Sequence, residues 1–268
     1  MTKPQRSTVA KSESPARILV VLPTLGDRLE TLEETLNAID VQRQEVSLRL
    51  VVVAPASATE ARALSRKFGA DIVDDPKTGI SAAINCGIAA RLGEEYYAWM
   101  GDDDLFRPGG LKLLSELLDT NPEAIVSYGA CEYIDPAGKI LATSKAGKLA
   151  QFLLPWGPDL IPHPGAMIRL NSLEAIGGFD TSLKYAMDLD AFLQLQRMGK
   201  FVCTTTPVSA FRWHPDSLTV ANRRNSSLES EAVKLRYLPL VLRPIRFLWV
   251  YPIRWASSIA AQRVSKRS

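Results

Sequence analysis

Trp99-Met100-Gly101-Asp102-Asp103-Asp104 decides the fold of this chain, because an apolar segment ends there in three adjacent carboxylates. Residues 96–100 (YYAWM) form a short aromatic and apolar run that predicts a buried parallel strand. Two earlier runs, 17–22 (RILVVL) and 48–53 (LRLVVV), have the same character, and residues 124–128 are a fourth strand candidate. Ligands of parallel sheets bind at the carboxyl ends of the strands, so we expect the acidic triplet at the mouth of a site.

Helical spacing of apolar residues fills the intervals between these strands. Leucine and isoleucine recur every three or four positions over residues 29–39, 80–88 and 111–118, and Pro108 can open the third of these helices. A further helix is predicted over residues 188–198. This alternation of strands and helices predicts an α/β fold with a mostly parallel central sheet.

The charge of the chain is unevenly distributed. All 29 acidic residues lie at or before Glu231, whereas eight of the 32 basic residues follow it, so the first 231 residues carry a formal charge of about −5. A mildly acidic body argues against a nucleic-acid-binding protein, whose basic face would lie on the fold itself. The three cysteines lack metal-ligand spacing and pair in no obvious way, which favours a reduced, cytoplasmic setting.

Composition changes divide the chain into three parts. Residues 1–15 are polar and lack an apolar h-region, so we expect a disordered tail rather than a signal peptide. Residues 16–232 should form the α/β domain, and residues 233–268 a basic and aromatic C-terminal extension without a spanning segment. Such an extension suits peripheral contact with the inner face of a membrane, and packing on its own domain or on a second subunit is the equal alternative.

The acidic triplet has two interpretations. Three adjacent carboxylates repel one another, and a hard divalent cation such as Mg²⁺ or Mn²⁺ would relieve that repulsion while also binding substrate phosphates. The alternative is a solvated acidic turn that precedes the helix after Pro108. The position of the triplet at a strand end favours the metal site.

A second acidic motif follows a glycine pair. Gly177-Gly178-Phe179-Asp180 indicates a tight turn, and Asp188 comes soon afterwards in the first turn of the predicted helix. The helix macrodipole favours an ionised carboxylate at that position, and such a group can accept a proton from an attacking hydroxyl. A plain N-terminal helix charge is the alternative.

Four segments, in this order over roughly residues 17–220, resemble the family 2 glycosyltransferases. They are Leu22-Pro23-Thr24 with Arg28, Gly79–Asn85 (GISAAIN), Trp99–Asp104 with Pro108-Gly109, and Gly177–Asp180 with Met187-Asp188. The resemblance implies the Rossmann-like GT-A fold of nucleotide-diphospho-sugar transferases, a nucleotide-sugar donor and a divalent cation. It also implies inversion at the anomeric carbon and a glycan or lipid-linked acceptor, in the synthesis of cell-surface polysaccharide or glycolipid.

The same resemblance assigns roles to individual residues. Asp103 would be the main metal ligand, with Asp102 and Asp104 in the same metal site, and Asp188 would be the catalytic base. The residues implied at the donor are Pro23, Thr24, Arg28, Asp75, Asn85, Asp102 and His214. Arg212, beside His214, could pair with a phosphate. His163 lies in the presumed acceptor region, where a structural loop histidine is just as probable.

Two departures from the family pattern bear on the donor. Gly101 stands where the family commonly has an acidic residue, and Ala54–Ser57 (APAS) stands where aspartates often contact the nucleobase. Asp74 or Asp75 could replace that contact.

Two other functions compete with the transferase. A sugar-phosphate nucleotidyltransferase usually has a glycine-rich loop with basic residues after the first strand, which Pro23–Arg28 (PTLGDR) matches poorly. A non-catalytic nucleotide- or glycan-binding module on a degenerate transferase fold is favoured by the missing acidic residues.

Overall fold

A computed structural model describes residues 15–144, 147–213 and 222–244. The strands within these ranges are β1 (Ile18–Pro23), β2 (Leu48–Ala54), β3 (Asp71–Asp74), β4 (Tyr96–Trp99), β5 (Leu105–Phe106), β6 (Ala124–Ile134), β7 (Ile140–Thr143), β8 (Ala166–Arg169) and β9 (Lys200–Arg212). The helices are α1 (Leu29–Gln42), α2 (Thr59–Lys67), α3 (Ile80–Ala89), α4 (Gly110–Asp119), α5 (Lys148–Leu153), α6 (Leu170–Ala175), α7 (Met187–Leu195) and α8 (Arg223–Tyr237). Two short 3₁₀ turns occupy His163–Gly165 and Leu240–Leu242.

One sheet organises the described part of the chain, in the order β3-β2-β1-β4-β8-β6-β9-β5, with β7 paired to β6. The first four strands in that order are parallel, and β1 lies between β2 and β4. From β8 onward antiparallel pairings enter, although the long strands β6 and β9 run parallel to each other. The carboxyl ends of β1 and β4 are therefore neighbours, which brings the residues after Pro23 and after Trp99 together.

The predicted α/β fold is confirmed, and the four predicted strands are β1, β2, β4 and β6. The helices predicted from leucine and isoleucine spacing are α1, α3, α4 and α7. The sequence did not predict β8 or β9. Ala166–Arg169 is only four residues long, and β9 contains Pro207 and pairs with β6 through register shifts.

Both faces of β1, β2 and β4 are largely buried, which explains the continuous apolar runs of these strands. Along β1, Leu19 and Val21 face a core that contains α3, α6 and α7, whereas Val20 and Leu22 face a core that contains α1 and α4. All four side chains are fully buried. Burial of each such side chain stabilises the fold by roughly 1.5–3 kcal/mol, so β1 is a central support of the sheet.

The predicted division of the chain into three parts stays a prediction, and its C-terminal boundary can be located relative to the helices. The predicted boundary between residues 232 and 233 lies inside α8, and Val233 of this helix is fully buried in the core of the domain. The predicted N-terminal tail lies almost entirely outside the described residues, as does the extension from residue 245 onward. Within the described ranges, no helix combines the length and the apolar character that a membrane crossing requires.

Gly87→Ala should destabilise the protein although alanine is the better helix former. A Cβ atom at Gly87 would lie 2.4 Å from Cγ1 of Val21 and 3.1 Å from Cγ2 of Val53, both buried beneath α3. The gain in helix propensity is about 1 kcal/mol, whereas overpacking typically costs about 1–3 kcal/mol. At the middle of that range, urea denaturation should show a net loss of about 1 kcal/mol.

Ala89→Ser, on the exposed side of the same helix, is the matched control and should change the free energy of unfolding by no more than about 0.5 kcal/mol. A Gly87→Ala variant as stable as the wild type would show that α3 does not pack closely on β1 and β2.

Candidate active site

Two adjacent strand ends place four polar side chains in contact. Thr24, which follows β1, is buried and donates its hydroxyl hydrogen to Oδ2 of Asp102 at 2.6 Å. Arg28, which immediately precedes α1, places Nη2 3.2 Å from Oδ1 of Asp102 and Nη1 2.5 Å from Oδ2 of Asp103. The pairing of β1 with β4 thus joins the predicted donor residues Thr24 and Arg28 to the acidic triplet.

Asp104 points to the other side of the triplet. Its side chain is buried, and Oδ1 accepts a hydrogen bond of 2.9 Å from the backbone N–H of Arg212 at the end of β9. Its backbone carbonyl accepts a bond of 2.8 Å from Oγ1 of Thr35 in α1. Asp104 therefore fixes the turn of the triplet against α1 and β9, and its predicted part in the metal site stays a prediction.

The guanidinium of Arg212 is occupied by other groups of the protein, whereas the sequence indicated that it could pair with a phosphate. It is 3% exposed, and its guanidinium donates to the carbonyl oxygens of Asp103 at 2.9 Å and Pro136 at 2.6 Å. It also pairs with Oε2 of Glu34 at 2.5 Å. Arg212 is committed to holding the backbone of the triplet, so its positive charge stabilises the acidic turn from within the protein.

Burial governs the electrostatics of the triplet. Desolvation raises the pKa of Asp102, and the hydrogen bond from Thr24 and the charge of Arg28 oppose that rise. Desolvation also raises the pKa of Asp104 well above its ordinary value, and the neighbouring charge of Asp103 adds to the effect. A cluster of this kind gains stability from any cation that it binds.

The carboxylates of Asp102 and Asp103 have the donor chemistry of a divalent cation site. One oxygen from each already converges on a single positive group, the guanidinium of Arg28. Mg²⁺ and similar ions are commonly held by one or two carboxylates plus substrate phosphates. Among the described residues, no group of three or more His, Cys, Asp or Glu side chains could hold an ion by itself, so phosphates or residues outside those ranges would supply the remaining ligands.

Gly101 explains how the carboxylates approach one another. A Cβ atom at this position would lie 3.1 Å from Oδ2 of Asp104 and 3.2 Å from Oδ1 of Asp103. The absence of a side chain leaves room for both carboxylates to fold back over the backbone. A side chain at this position would require the two carboxylates to move by a few tenths of an ångström.

Asp188 lies in the first turn of α7 and is partly buried. Its Oδ1 accepts a hydrogen bond of 2.8 Å from the backbone N–H of Leu189. Desolvation, followed by the charges of Asp159 and Glu229, raises the pKa of Asp188 to about 7. A carboxylate with a pKa near neutrality can both accept and release a proton, which is the property that a general base requires.

Helix α3 ties the segment before α7 to the parallel half of the sheet. Asn85 donates through Nδ2 to the carbonyl of Phe179 at 2.7 Å and accepts through Oδ1 from the N–H of Phe179 at 3.0 Å. Ser81 donates to the carbonyl of Leu183 at 2.9 Å. Both polar groups of Asn85 are used in this way, so the structure gives Asn85 a structural task, and the predicted donor contact stays a prediction.

An aromatic cluster fills the space between β4 and α7. His163 stacks on Trp99 with ring centroids 4.5 Å apart, and its Nε2 lies 3.4 Å from the hydroxyl of Tyr97. Phe179 and Phe192 contact the same imidazole. Desolvation lowers the pKa of His163 to about 3, so the ring is neutral and belongs to the core. Of its two sequence interpretations, the structural one fits this environment.

Two further predicted donor residues, Pro23 and Asp75, lie at or near the same edge of the sheet. Pro23 is the last residue of β1. Asp75 follows β3, where its N–H donates to the carbonyl of Ala54 at 3.1 Å and its Oδ1 accepts from the N–H of Lys77 at 2.8 Å. His214 lies outside the described residues.

Sequence reasoning missed three charged residues around Asp188. Glu229 and Lys234 belong to α8, and Asp159 belongs to the loop after α5. Asp159 and Glu229 raise the pKa of Asp188, and the charge of Lys234 acts on Asp159. Asp159 and Glu229 lie 29 and 41 positions from Asp188 in the chain, so no local motif marks them.

Comparison with known proteins finds relatives of this chain. The family model described as glycosyl transferase family 2 matches residues 19–177, more than half of the chain. An uncharacterized glycosyltransferase of Rickettsia prowazekii is 28% identical over 163 residues, which are 57% of this chain and 51% of the relative. A chondroitin synthase of Pasteurella multocida is 27% identical over 48% of this chain and 13% of its own length. The chain spans about half the length of the rickettsial relative.

Solved structures share the fold. A mannosyltransferase from Pyrobaculum calidifontis, in complex with GDP-Man and Mn²⁺, superposes with a TM-score of 0.65 at 18% identity over 93% of this chain and 76% of its own. A glucosyl-3-phosphoglycerate synthase from Mycobacterium tuberculosis, in complex with Mn²⁺, UDP and phosphoglyceric acid, gives a TM-score of 0.60 at 16% identity, over 82% of this chain and 78% of its own. At these identities the likeness establishes the architecture.

Asp188→Asn should stabilise the fold at neutral pH and have little effect near pH 4. The pKa of Asp188 is about 7 in the folded chain against an ordinary value of 3.8, so between these values the folded state holds a proton that the unfolded state has released. Wild-type stability therefore falls as the pH rises through this window, and asparagine removes that penalty. Urea denaturation at several pH values from 4 to 8 measures the difference.

Asp180→Asn is a control with the opposite sign, because hydrogen bonds from Ser182 lower the pKa of Asp180. This variant should lose stability at neutral pH. A stability difference between Asp188→Asn and the wild type that stays constant from pH 4 to pH 8 would contradict the raised pKa of Asp188.

Proposed function

The chain belongs to glycosyl transferase family 2, and from that membership we propose that it transfers a sugar from a nucleotide-diphosphate donor to an acceptor hydroxyl with inversion at the anomeric carbon. The observation that carries the proposal is the convergence of Asp102 and Asp103 on Arg28 at the carboxyl ends of β1 and β4. Carboxylates and a basic side chain that meet at this edge suit a diphosphate with its counter-cation.

Asp188 is the base of the proposed reaction. The acceptor oxygen forms a bond to the anomeric carbon while the bond from that carbon to the diphosphate oxygen breaks, and the diphosphate leaves with the electron pair. The proton of the acceptor hydroxyl passes to the Asp188 carboxylate. A single displacement of this kind inverts the anomeric configuration.

Asp102 and Asp103 would hold a divalent cation, Mg²⁺ or Mn²⁺, which supplies charge stabilisation for the departing diphosphate. Arg28, whose side chain is 42% exposed, can then exchange a carboxylate partner for a phosphate oxygen, since guanidinium groups bind both. Thr24 keeps Asp102 oriented during that exchange through its 2.6 Å hydrogen bond. The mannosyltransferase structure contains GDP-Man and Mn²⁺, and the synthase structure contains UDP and Mn²⁺, which supports this arrangement.

The acceptor, the compartment and the membrane contact stay predictions. A glycan or lipid-linked acceptor and a role in cell-surface polysaccharide or glycolipid synthesis are consistent with the chondroitin synthase among the relatives. A cytoplasmic location at the inner face of a membrane rests on the composition of the extension, most of which lies outside the described residues.

Analysis of the nucleotide products tests the proposed function. The full chain is incubated with Mn²⁺ and a panel of UDP-, GDP- and dTDP-sugars, and the products are separated by chromatography. A transferase releases nucleoside diphosphate slowly even by donor hydrolysis, and faster with a matching acceptor. Pyrophosphate formation from a nucleoside triphosphate and a sugar phosphate would instead identify a nucleotidyltransferase, and no turnover with tight binding would identify a non-catalytic module.

Asp188→Asn should lower kcat for transfer by about 10²–10⁴-fold, the usual contribution of a general base, and leave the affinity for the donor unchanged. The wild-type rate should rise with pH and reach half its maximum near pH 7, because the base must be deprotonated and the pKa of Asp188 is about 7. Steady-state kinetics over pH 5.5–9 measure both effects.

Asp190→Asn is the control for this variant. Asp190 lies in the same helix, and its carboxylate accepts hydrogen bonds from Tyr237 and Gln194, so kcat should stay near that of the wild type. Transfer by Asp188→Asn at the wild-type rate would remove Asp188 from the mechanism.

Asp103→Ala should weaken Mn²⁺-dependent binding of a nucleoside diphosphate by about tenfold or more, since even an outer partner of a metal ligand contributes that much. Calorimetric titration with and without Mn²⁺ measures the affinity. Asp27→Asn is the matched control, because Asp27 is exposed and lies 3.9 Å from the same Arg28. Equal affinities for Asp103→Ala and the wild type in Mn²⁺ would exclude Asp103 from the cation site.

A further inference from the structure

The carboxylate of Glu229, in α8, binds three successive backbone N–H groups. Lys184 donates to both of its oxygens at 3.0 and 3.2 Å, and Tyr185 and Ala186 donate to Oε1 at 2.6 and 2.8 Å. Successive N–H groups that point to one side form a concave anion-binding nest. Hydrogen bonds to an ionised acceptor are about twice as strong as neutral ones, so Glu229 fixes the backbone of Lys184–Ala186.

This segment leads directly into the helix that carries Asp188. Helix α7 begins at Met187, and Ala186 precedes it without a side-chain cap. The N–H groups of residues before and within the first turn have no partner inside the helix. Glu229 supplies an acceptor for the groups before Met187, and it does so from a different part of the chain.

Helices α3 and α8 hold the segment before α7 from two sides. On one side, Ser81 of α3 donates to the carbonyl of Leu183 and contacts the sulfur of Met187, each at 2.9 Å. On the other side, α8 is itself docked, because Val233 is fully buried and the hydroxyl of Tyr237 donates to Oδ1 of Asp190 at 2.8 Å. The start of α7 therefore lies between two fixed helices.

We propose that Glu229 is a positioning residue of the transfer reaction: it holds Lys184–Ala186 so that Asp188 presents its carboxylate to the acceptor hydroxyl. This inference rests on the proposed function, in which Asp188 is the base. Glu229 does not touch the reacting atoms, and its action passes entirely through the backbone before α7.

The charge of Glu229 also acts on Asp188. The charged and titratable groups around Asp188 come from three elements: Asp159 in the loop after α5, Glu229 in α8 and Tyr97 in β4. Lys234 of α8 offsets part of the Asp159 charge. Loss of the Glu229 charge removes one of the two negative groups that raise the pKa of Asp188, so it should move the pH midpoint of transfer to lower pH.

Two variants of Glu229 test the proposal. Glu229→Ala removes every acceptor from the nest and should lower kcat by about 10–100-fold with the donor KM unchanged, since a misplacement of about 1 Å can cost about 10²-fold. Glu229→Gln keeps one acceptor oxygen without the charge. It should recover part of kcat relative to Glu229→Ala and should shift the pH midpoint of the transfer rate to lower pH.

Arg236→Gln is the matched control on the same helix. Arg236 pairs with Asp180 at 3.0 Å and with Asp190 at 3.5 Å, so its loss loosens the docking of α8 without touching the nest. It should keep kcat within about twofold of the wild type, because the pair with Asp180 is largely exposed and of small energy. The buried Asp190 carboxylate keeps its hydrogen bonds from Tyr237 and Gln194. Wild-type kcat in Glu229→Ala, or an equal loss in Arg236→Gln, would overturn the positioning role.

Hydrogen exchange at the amides of Lys184–Ala186 gives a readout that needs no activity. Thermal melts first confirm that each variant is folded, and the amides should then exchange much faster in Glu229→Ala than in the wild type or Arg236→Gln. Slow exchange in Glu229→Ala would show that Glu229 does not fix the backbone of Lys184–Ala186. A wild-type chain that transfers no sugar would instead refute the proposed function, and with it the catalytic part of this inference. The exchange result would still decide whether Glu229 fixes the backbone of Lys184–Ala186.

Discussion

The cost of burying carboxylates at the edge of the sheet is the constraint on which the rest of this structure depends. Asp102 and Asp104 are both buried, and Asp103 lies between them. An uncompensated buried charge is energetically costly, so each carboxylate needs a hydrogen-bond donor or a positive group nearby. Thr24, after β1, and Arg28, before α1, contact Asp102 and Asp103. The backbone N–H of Arg212, at the end of β9, donates to Asp104. The two outer carboxylates of the triplet therefore differ. Asp104 bonds to the backbone at the end of β9, whereas Asp102 shares with Asp103 a partly exposed partner, Arg28, which we propose that a ligand replaces.

The second half of the site obeys the same rule with a different result. Asp188 has a hydrogen bond from its own helix, but its two charged influences, Asp159 and Glu229, are both negative. Desolvation and these two charges raise the pKa of Asp188 to about 7, which suits the general base that we propose it to be. Asn85 and Ser81 of α3 connect the two halves of the site. They hydrogen-bond to the segment before α7, and α3 itself packs on β1 and β2. A neutral His163 and its aromatic neighbours fill the space between β4 and α7.

Much of the parallel half could be predicted from sequence because its signals are local. Continuous apolar runs marked β1, β2 and β4, and the triplet followed the last of these, so the strand-end rule placed Asp102 and Asp103 correctly at the sheet edge. The antiparallel half gave weaker signals, because β8 is short and β9 contains Pro207 and pairs with β6 through register shifts. The tasks of Arg212 and Glu229 could not be predicted at all. Arg212 bonds to Pro136 and Glu34, and Glu229 to Lys184–Ala186, and these partners are 43 to 178 positions distant in the chain.

We propose above all that Asp102 and Asp103 exchange Arg28 for a cation and a diphosphate. Anomalous diffraction from crystals soaked with Mn²⁺ and the nucleoside diphosphate that most stabilises the protein tests this claim most directly. The account predicts one manganese peak at coordination distance from Asp103 and a diphosphate oxygen, with the Arg28 guanidinium moved toward phosphate. Manganese and nucleotide bound elsewhere, with Arg28 still joined to both carboxylates, would contradict it.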